Sequence, residues 1–358
     1  MSATPARATP RDSIFRHAQP RLGRSLLELC TSALPYLALS LLSYRLLRIS
    51  PLLSLAMVLP LTGFLLRTFI MFHDCTHGAL WRSRRANAYV GSFLGFLVLA
   101  PFRRWRHDHA VHHATSGDLE RRGVGDVPTL TVAEYWAKPW RGRLAYRIFR
   151  HPLVMFGLGP IVAMMIGPRI PTRAQRPQMR RSVIRTDFAI ALVVGALCWW
   201  IGPGAFMLVW APPALLAGAA GIWLFYVQHQ FEDAYWQHSD GWDYADAALQ
   251  GSSYLKLPRV LQFFTGNIGL HHVHHLNARI PNYNLQAAHD GCDALQGVPM
   301  LSLMDGIRAV KLKLWDEDGG KLVTFAQARV HQGGARFASL HRPPLREPDA
   351  ADAGTREL

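Results

Sequence analysis

Histidine side chains are concentrated in three short stretches of this 358-residue chain. We call these stretches the histidine boxes; they contain His73 and His77, then His109, His112 and His113, then His271, His274 and His275. Residues three and four positions apart share one face of a helix, so each box can present its imidazoles together. Neutral imidazole binds transition metals through a ring nitrogen. The spacing therefore indicates a metal site.

A further histidine, His229, stands alone in YVQHQFED, where an apolar run ends. By itself, His229 could be a polar residue at the membrane interface. A single histidine pair such as His73 and His77 is common on helices and by itself does not indicate a metal site. Together with the boxes, His229 brings the count to nine imidazoles, more than the about four ligands that one zinc ion takes. Nine nitrogens suffice for two metal ions, and an all-nitrogen set suits zinc, copper, iron or nickel.

The apolar residues form runs, although the chain has a formal net charge of +15. Four runs, near 26–47, 51–72, 186–203 and 205–228, are long enough to cross a bilayer. The links within each pair are too short for a soluble domain and predict two hairpins. Arginines flank these runs, as at the cytoplasmic ends of membrane spans, and this distribution argues against nucleic-acid binding.

Two shorter apolar stretches, 88–101 and 151–168, are interpreted as interfacial or re-entrant, since all three boxes then face the cytoplasm. The fold class is therefore an all-α integral membrane protein with about four transmembrane helices, interfacial helices and a cytoplasmic helical cap that carries the metal site. We expect one domain over 25–332, a flexible cytoplasmic tail over 1–24 and a disordered tail over 333–358. The four cysteines are far apart and predict no disulfide framework.

The longer motifs around the boxes resemble the membrane-bound fatty acid desaturase family. From about residue 50 to 290 they are HDCTHG, WRHDHAVHHATSGDLERRGVGD, QHQFED and FFTGNIGLHHVHHLNARIPNY, most similar to the bacterial acyl-lipid omega-6 (delta-12) branch. The resemblance implies a centre of two non-haem iron ions with nine histidine ligands: His73, His77, His109, His112, His113, His229, His271, His274 and His275. His107 and His272 fall outside this pattern.

The resemblance also implies a reaction. An acyl-lipid desaturase introduces a cis double bond with O2 and two electrons, here at the delta-12 (omega-6) position of an oleoyl-type chain. The sequence contains no flavin, nicotinamide, iron–sulfur or haem-domain pattern, so a separate ferredoxin or cytochrome b5-like protein is expected to supply the electrons. The expected location is the bacterial inner membrane, with the active site facing the cytoplasm.

Polar side chains beside the boxes could hold ligand imidazoles through hydrogen bonds. The candidates are Asp74, Asp108, Asp118, Glu232, Asp233 and Asn267. Each acid fits a solvated or capping role as well, and Asn267 fits a helix N-cap.

Two other functions share part of this pattern. A di-iron hydroxylase of an alkyl, sterol or carotenoid substrate would need the same boxes, because both reactions begin by removing one hydrogen. A metal transporter would carry ligands inside its spans. The predicted spans have no histidine or acid in their middles, and Glu28 lies near one end.

Overall fold

The computed structural model describes residues 14–172 and 175–330. Its α-helices are α1 (Leu22–Leu47), α2 (Pro51–Ala56), α3 (Val58–His77), α4 (Arg84–Leu97), α5 (Phe102–Thr115), α6 (Val132–Ala137), α7 (Trp140–Phe149), α8 (Pro177–Ile201), α9 (Pro203–His229), α10 (Tyr244–Leu249), α11 (Arg259–Phe264), α12 (His271–Leu276), α13 (Leu285–Asp290) and α14 (Leu303–Ala309). Two π-helical segments, Leu153–Leu158 and Pro160–Ile166, follow α7, and short 3-10 turns occur at Phe15–His17, Gly167–Arg169, Asn282–Asn284 and Asp293–Leu295.

Five short strands accompany the helices in the described ranges. β1 (Leu130–Thr131) pairs in parallel with β4 (Leu314–Asp316), which pairs antiparallel with β5 (Lys321–Val323). β2 (Tyr254–Leu255) pairs in parallel with β3 (Met300–Leu301). The β1–β4 and β2–β3 pairings tie two earlier segments to the carboxyl-terminal part of the described chain, and β2 also contacts α9 and α12.

Four helices in the described part of the chain, α1, α3, α8 and α9, are long and apolar enough to span a membrane. The expected all-α membrane fold with four candidate spans is therefore confirmed. The second span differs in detail, because it begins at Val58 and is preceded by the separate helix α2. Pro60 explains the break: it lacks an N–H donor, and in a continuous helix its ring would clash with the Ala56 carbonyl.

The first two spans are antiparallel. At one end Ser25 of α1 donates a hydrogen bond to the Leu80 carbonyl just after α3, at 2.6 Å. At the other end the hydroxyls of Ser43 and Ser54 lie 2.8 Å apart. The spans α8 and α9 meet at Gly202, whose φ of +87° favours glycine. The carboxyl ends of α3 and α9 carry His77 and His229.

The two shorter apolar stretches differ from each other. α4 has 14 residues, about 21 Å of helix, which is less than the about 30 Å hydrocarbon core. The stretch after α7 forms a helix pair with it, bent by 57°, which is either a broken span or a re-entrant loop. The chain therefore has four candidate spans among the described residues, or five if this bent pair crosses.

The candidate spans differ in how much of their surface is exposed. α8 exposes large apolar side chains, among them Phe188, Leu192 and Trp199. Their exposure fits contact with lipid tails, since transfer of such surface to water is unfavourable. α3 is instead largely buried between α1, α4 and α9, with Met71 and Phe72 fully enclosed. α3 is thus the central helix that carries the first histidine box.

A buried ion pair joins α1 to α3. Glu28 accepts a hydrogen bond from Arg67, and both side chains are almost fully buried. Arg67 also donates to the Phe263 carbonyl and lies over the ring of Phe263. Arg24 adds a second ion pair to Glu28 at 3.0 Å. The acid near the end of the first span is thus neutralised by two arginines.

Much of the sequence-predicted tails lies outside the described residues, namely 1–13 and 333–358. The remainder of the N-terminal segment packs on the protein. Ile14 is fully buried, and the Asn284 amide donates to the His17 carbonyl at 2.9 Å. The Arg21 backbone N–H donates to the Tyr283 hydroxyl at 3.0 Å. Residues 14–24 therefore pack on the protein through an apolar anchor and these bonds, and the flexible tail over 1–24 stays a prediction for the part outside the described residues.

Candidate metal centre

The first histidine box occupies the last turns of α3. Gly78 ends this helix with a φ of +70°, and its N–H bonds back to the carbonyls of Asp74 and Cys75. A left-handed residue at this position is the usual helix terminator and favours glycine. His73 and His77 therefore lie on one face of a helix end whose direction is fixed by this cap.

The other histidines are on three further helices. The second box lies on α5, the third box forms most of α12, and His229 is the last residue of α9. A tight turn precedes α12, with left-handed φ values of +52° at Gly266 and +57° at Asn267. The four helix segments meet at one end of the bundle, where the structure brings all nine sequence-predicted histidines together.

The nine imidazoles separate into two groups, each with one ring nitrogen per residue within 4.8 Å of the others. Group one contains His73, His77, His109, His113 and His274; group two contains His112, His229, His271 and His275. The boxes divide because neighbouring residues such as His112 and His113 point about 100° apart on a helix. Residues four apart, such as His271 and His275, remain in one group.

The ring nitrogens face one another. His73 Nε2 lies 2.9 Å from His109 Nε2, and His229 Nε2 lies 3.0 Å from His271 Nε2. His77 Nε2 and His275 Nε2 are buried without a hydrogen-bond partner. Nitrogens bound to one metal at about 2.1 Å, at a right angle, are about 3.0 Å apart. The donor set therefore fits two metal ions, with five and four nitrogens available.

Six of these histidines lie outside the candidate spans. Burial, and then repulsion from neighbouring imidazoles, lowers the pKa of His109, His113, His271, His274 and His275 well below its usual value. A proton on one ring would lose its hydration and meet other rings. The imidazoles are thus neutral at physiological pH, the form that binds metals.

Hydrogen bonds orient the rings of group two. His112 Nδ1 bonds to a carboxylate oxygen of Asp126. His229 Nδ1 donates to the Gly251 carbonyl at 3.0 Å, with the Ser116 hydroxyl 3.4 Å away. A partner on Nδ1 fixes the tautomer and leaves Nε2 free to bind a metal. His112 and His229 therefore point their Nε2 atoms at the same place, 3.2 Å apart.

Asp74 connects the first and third boxes. Its Oδ1 lies 3.5 Å from His73 Nδ1. Its Oδ2 accepts hydrogen bonds from the backbone and side-chain amides of Asn282, at 2.8 and 2.9 Å. Asn282 follows the third box, in the IPNY stretch. This candidate is thus brought to the histidines and holds two site segments together.

The other sequence-predicted polar residues bond elsewhere. Asp108 pairs with Arg104 and His107, whereas Asp118 accepts from Arg121 and Ser239. In the next segment, Glu232 is exposed and pairs with Lys321, and Asp233 is exposed. Asn267 forms a left-handed turn and donates to the Asn282 carbonyl at 3.3 Å. These side chains are close to proposed ligands in sequence but do not contact their rings, because the helices and loops that carry them point them elsewhere.

Two histidines outside the family pattern have distinct environments. His107 is exposed and bonds to Asp108. His272 is fully buried and faces His289, with Nε2 and Nδ1 3.0 Å apart. Burial and the neighbouring His289 lower the pKa of His272 to about 3. This pair packs behind the third box rather than in either group.

A buried arginine holds the segments behind group two. The Arg150 guanidinium is fully buried and donates to the Pro128 carbonyl at 2.8 Å, Thr129 Oγ1 at 3.1 Å and Gln230 Oε1 at 2.9 Å. It therefore ties the loop that carries Asp126 to the end of α9. Sequence reasoning missed both Arg150 and Asp126. Asp126 ends one of the family-like motifs, which was the available signal, but 14 residues separate it from its partner.

An apolar groove opens between the spans below group one. Its cavity volume is about 50 Å³, and it is lined by Leu65 and Phe69 of α3 and by Ala217, Gly218 and Gly221 of α9, among others. Small residues on α9 leave this space open. The groove is narrow, well below the about 300–1,000 Å³ typical of closed ligand pockets.

Aromatic rings connect the groove to the histidines. Phe69, which lines the groove, packs edge-on against Trp105 with ring centroids 5.5 Å apart. Trp105 in turn lies against His109, with centroids 4.3 Å apart. Two packed aromatic rings therefore lie between the apolar space and group one.

These features define an integral membrane protein with a candidate two-metal histidine site beside a lipid-facing groove. The family model described as fatty acid desaturase matches residues 50–300. The chain belongs to this family, and it is an oxidoreductase that desaturates acyl chains of lipid substrates in a metal-dependent reaction.

Individual relatives agree with this assignment. A fatty acid desaturase of Bacillus subtilis (strain 168) is 44% identical over 308 residues, covering 86% of this chain and 88% of the relative. The sn-1 oleoyl-lipid 12-desaturase of Synechocystis sp. is 28% identical, covering 62% of this chain and 63% of the relative. An sn-1 acyl-lipid omega-3 desaturase (ferredoxin) of Synechocystis sp. is 25% identical, covering 64% of each.

The lowered pKa values of the histidines predict how the chelator-treated protein responds to acid. An unfolded histidine has a pKa near 6.5. Below this pH the unfolded chain therefore binds more protons than the folded chain, whose buried rings stay neutral. Stability is then complete above about pH 6.5 and falls below it, by up to about 1.4 kcal/mol per pH unit for each buried ring.

We expect the melting temperature of the chelated protein in detergent, followed by tryptophan fluorescence, to fall between pH 7 and 5 by about 2 °C or more per unit. His107→Asn, at an exposed position, should leave the curve unchanged. A melting temperature that stays constant over this range would contradict the burial of neutral rings.

Proposed function

We propose that this chain introduces a cis double bond at the delta-12 (omega-6) position of an oleoyl-type chain in a membrane lipid, using O2 and two electrons. The observation that carries the proposal is the meeting of nine clustered imidazoles with an apolar groove at the end of the spans. The groove suits an acyl chain, and the imidazoles suit redox metals.

The metals are proposed to be two non-haem iron ions. His73, His77, His109, His113 and His274 would hold one, and His112, His229, His271 and His275 the other. Zinc has no redox chemistry, whereas removal of hydrogen from an unactivated chain needs an oxidant. Bound iron would supply that oxidant from dioxygen, and the protein supplies position and dryness.

The residues around the groove would orient the substrate. Leu65 and Phe69 on one side and the small residues of α9 on the other leave an apolar slot for the methyl end of an acyl chain. Trp105 separates this slot from His109 and would direct the chain past group one. The depth of the slot would then select which carbons lie beside the histidines, and hence the position of the double bond.

The finer substrate assignment rests on relatives. The proteins of Synechocystis and Arthrospira platensis named sn-1 oleoyl-lipid 12-desaturase are 28% and 25% identical to this chain. The flanking motifs of the boxes resemble the same branch. Both observations favour delta-12 desaturation of an oleoyl chain over hydroxylation, which would use the same metal ligands.

The electrons are proposed to come from a separate protein, a ferredoxin or a cytochrome b5-like donor. One relative carries ferredoxin in its name. Arginines such as Arg85 and Arg103, on the two helices that follow α3, are exposed. A basic surface there would attract an acidic donor and speed its association.

The site is proposed to face the cytoplasm of a bacterial inner membrane. Arg21 and Arg24 lie at the start of α1, Arg82 follows α3, and Arg180 and Arg181 lie in the first turns of α8. These are the ends that also carry the histidines. Excess positive charge marks the cytoplasmic side of membrane proteins.

The first prediction concerns a proposed ligand. In a bacterial host supplied with oleate and a ferredoxin, the wild-type chain should produce a doubly unsaturated acyl species, with the new bond located by mass spectrometry. His274→Ala should abolish it and weaken iron binding by about tenfold or more, because a metal nitrogen is lost. His107→Ala, at an exposed histidine of the second-box motif, should keep both properties.

The lipid analysis separates the alternatives. A hydroxylated acyl chain would replace the desaturase proposal by the hydroxylase. A double bond at another position would retain desaturation and reject delta-12. Loss of product in the wild type despite bound iron and donor would reject an oleoyl-type substrate.

A second prediction concerns the carboxylate on His112. Asp126→Ala removes the partner of His112 Nδ1 and frees the ring to rotate. Iron affinity, measured by dialysis and metal analysis, should fall by about 10–100-fold. Asp233→Ala removes an exposed acid near His229 and is the matched control. Equal iron affinity in both variants would show that Asp126 does not orient the ring.

A third prediction concerns the groove. A side chain on Gly221 would meet only Met164, at 3.9 Å, so Gly221→Leu should fit the fold and fill the slot. Conversion of oleoyl chains relative to shorter chains should fall by about tenfold, measured by lipid profiling of the host. Gly195→Leu on α8 has open space around it and should not change the ratio. An unchanged ratio in both variants would place the substrate elsewhere.

A further inference from the structure

A second cavity lies on the side of the first histidine box away from the groove. Its cavity volume is about 580 Å³, and it opens to solvent. We call it the arginine basin, because Arg82, Arg84, Arg106 and Arg279 line it. His77 is also part of its wall, so the basin reaches the proposed metal site.

The basin is strongly cationic. Its lining contains four arginines and no aspartate or glutamate. Elsewhere in the described chain arginines form ion pairs, such as Arg104 with Asp108 and Arg122 with Glu134. No carboxylate lies within 4.0 Å of the four basin guanidiniums among the described residues. Four like charges around one concave space repel unless an anion binds there.

The order of residues along α3 places the proposed metal site between the two cavities. Phe69 lines the apolar groove, His73 belongs to group one, and His77 lines the arginine basin. The three residues follow one another over about 12 Å of helix. A molecule with a charged head and an apolar tail could therefore place its head in the basin and its tail in the groove, with intermediate carbons beside the histidines.

We propose that the arginine basin binds the phosphate of the acyl substrate. This inference rests on the proposed function, since it assigns the head of the same substrate. Guanidinium presents paired N–H donors that match phosphate oxygens. The shared chemistry is a phosphate ester, from either a phospholipid head group or a soluble acyl carrier such as coenzyme A.

The shape of the surface favours a small phosphate over a docked protein. The four arginines surround a concave space that also includes Thr76 at the end of α3. An electron-donor protein would contact a broad exposed surface, which Arg85 and Arg103 could provide outside the basin. The basin arginines and these outer arginines therefore have separate roles that a matched experiment can distinguish.

The test compares two double variants of the full chain in detergent. Arg84→Gln with Arg106→Gln removes two basin charges, from α4 and α5. Arg85→Gln with Arg103→Gln removes two exposed charges from the same helices outside the basin. Native mass spectrometry measures binding of dioleoyl phosphatidylglycerol, of oleoyl-coenzyme A and of dioleoylglycerol, which has no phosphate.

The basin variant should bind phosphatidylglycerol at least about tenfold more weakly than wild type, and dioleoylglycerol equally well. The outer variant should bind all three probes like wild type. A loss confined to oleoyl-coenzyme A would assign the phosphate to a soluble carrier and still support the basin. Equal binding of every phosphate probe by both variants would overturn the proposal.

The alternative occupant of the basin is an electron-donor protein. It is tested by measuring how fast ferredoxin reduces the wild type and the two double variants. If the basin variant binds all phosphate probes normally but is reduced more slowly than the outer variant, the basin is a donor-docking surface and the phosphate proposal is wrong. Binding needs no turnover. If the wild-type chain makes no double bond, but the basin variant still binds phosphate probes more weakly than the wild type, the proposed function is rejected and this inference is kept.

Discussion

Nine imidazoles must be held together, away from water, at the end of a membrane bundle. Burial lowers the pKa of His109, His113, His271, His274 and His275, and a proton on any of these five rings would meet repulsion from neighbouring imidazoles. Such a cluster persists only if the surrounding structure holds every ring in place. Much of the fold serves this requirement: a capped helix end for the first box, a buried carboxylate for His112 and a backbone carbonyl for His229.

The requirement also explains why the site is built from distant parts of the chain. Asp74 links the first box to Asn282, and Arg150 links the loop of Asp126 to the end of α9. These contacts span 22, 80 and 208 residues in sequence. They connect the segments next to α3, α9 and α12, from which site histidines come.

The site has different surroundings on its two sides. An apolar groove between α3 and α9 approaches group one from the bilayer, whereas the arginine basin approaches His77 from the aqueous side. An apolar opening on one side and a cationic opening on the other match an amphiphilic lipid, which has an apolar tail and a polar head. Both openings depend on residue size and charge rather than on the histidines themselves.

The sequence by itself determined the histidine boxes, the four spans and the family, because helical spacing and runs of apolar residues are local properties. It could not determine that adjacent His112 and His113 serve different groups, or that Asp126 rather than Asp108 or Asp118 meets a ring. Those outcomes depend on the relative directions of four helices. Only tertiary packing sets these directions, since it brings together side chains that the chain separates by loops and spans.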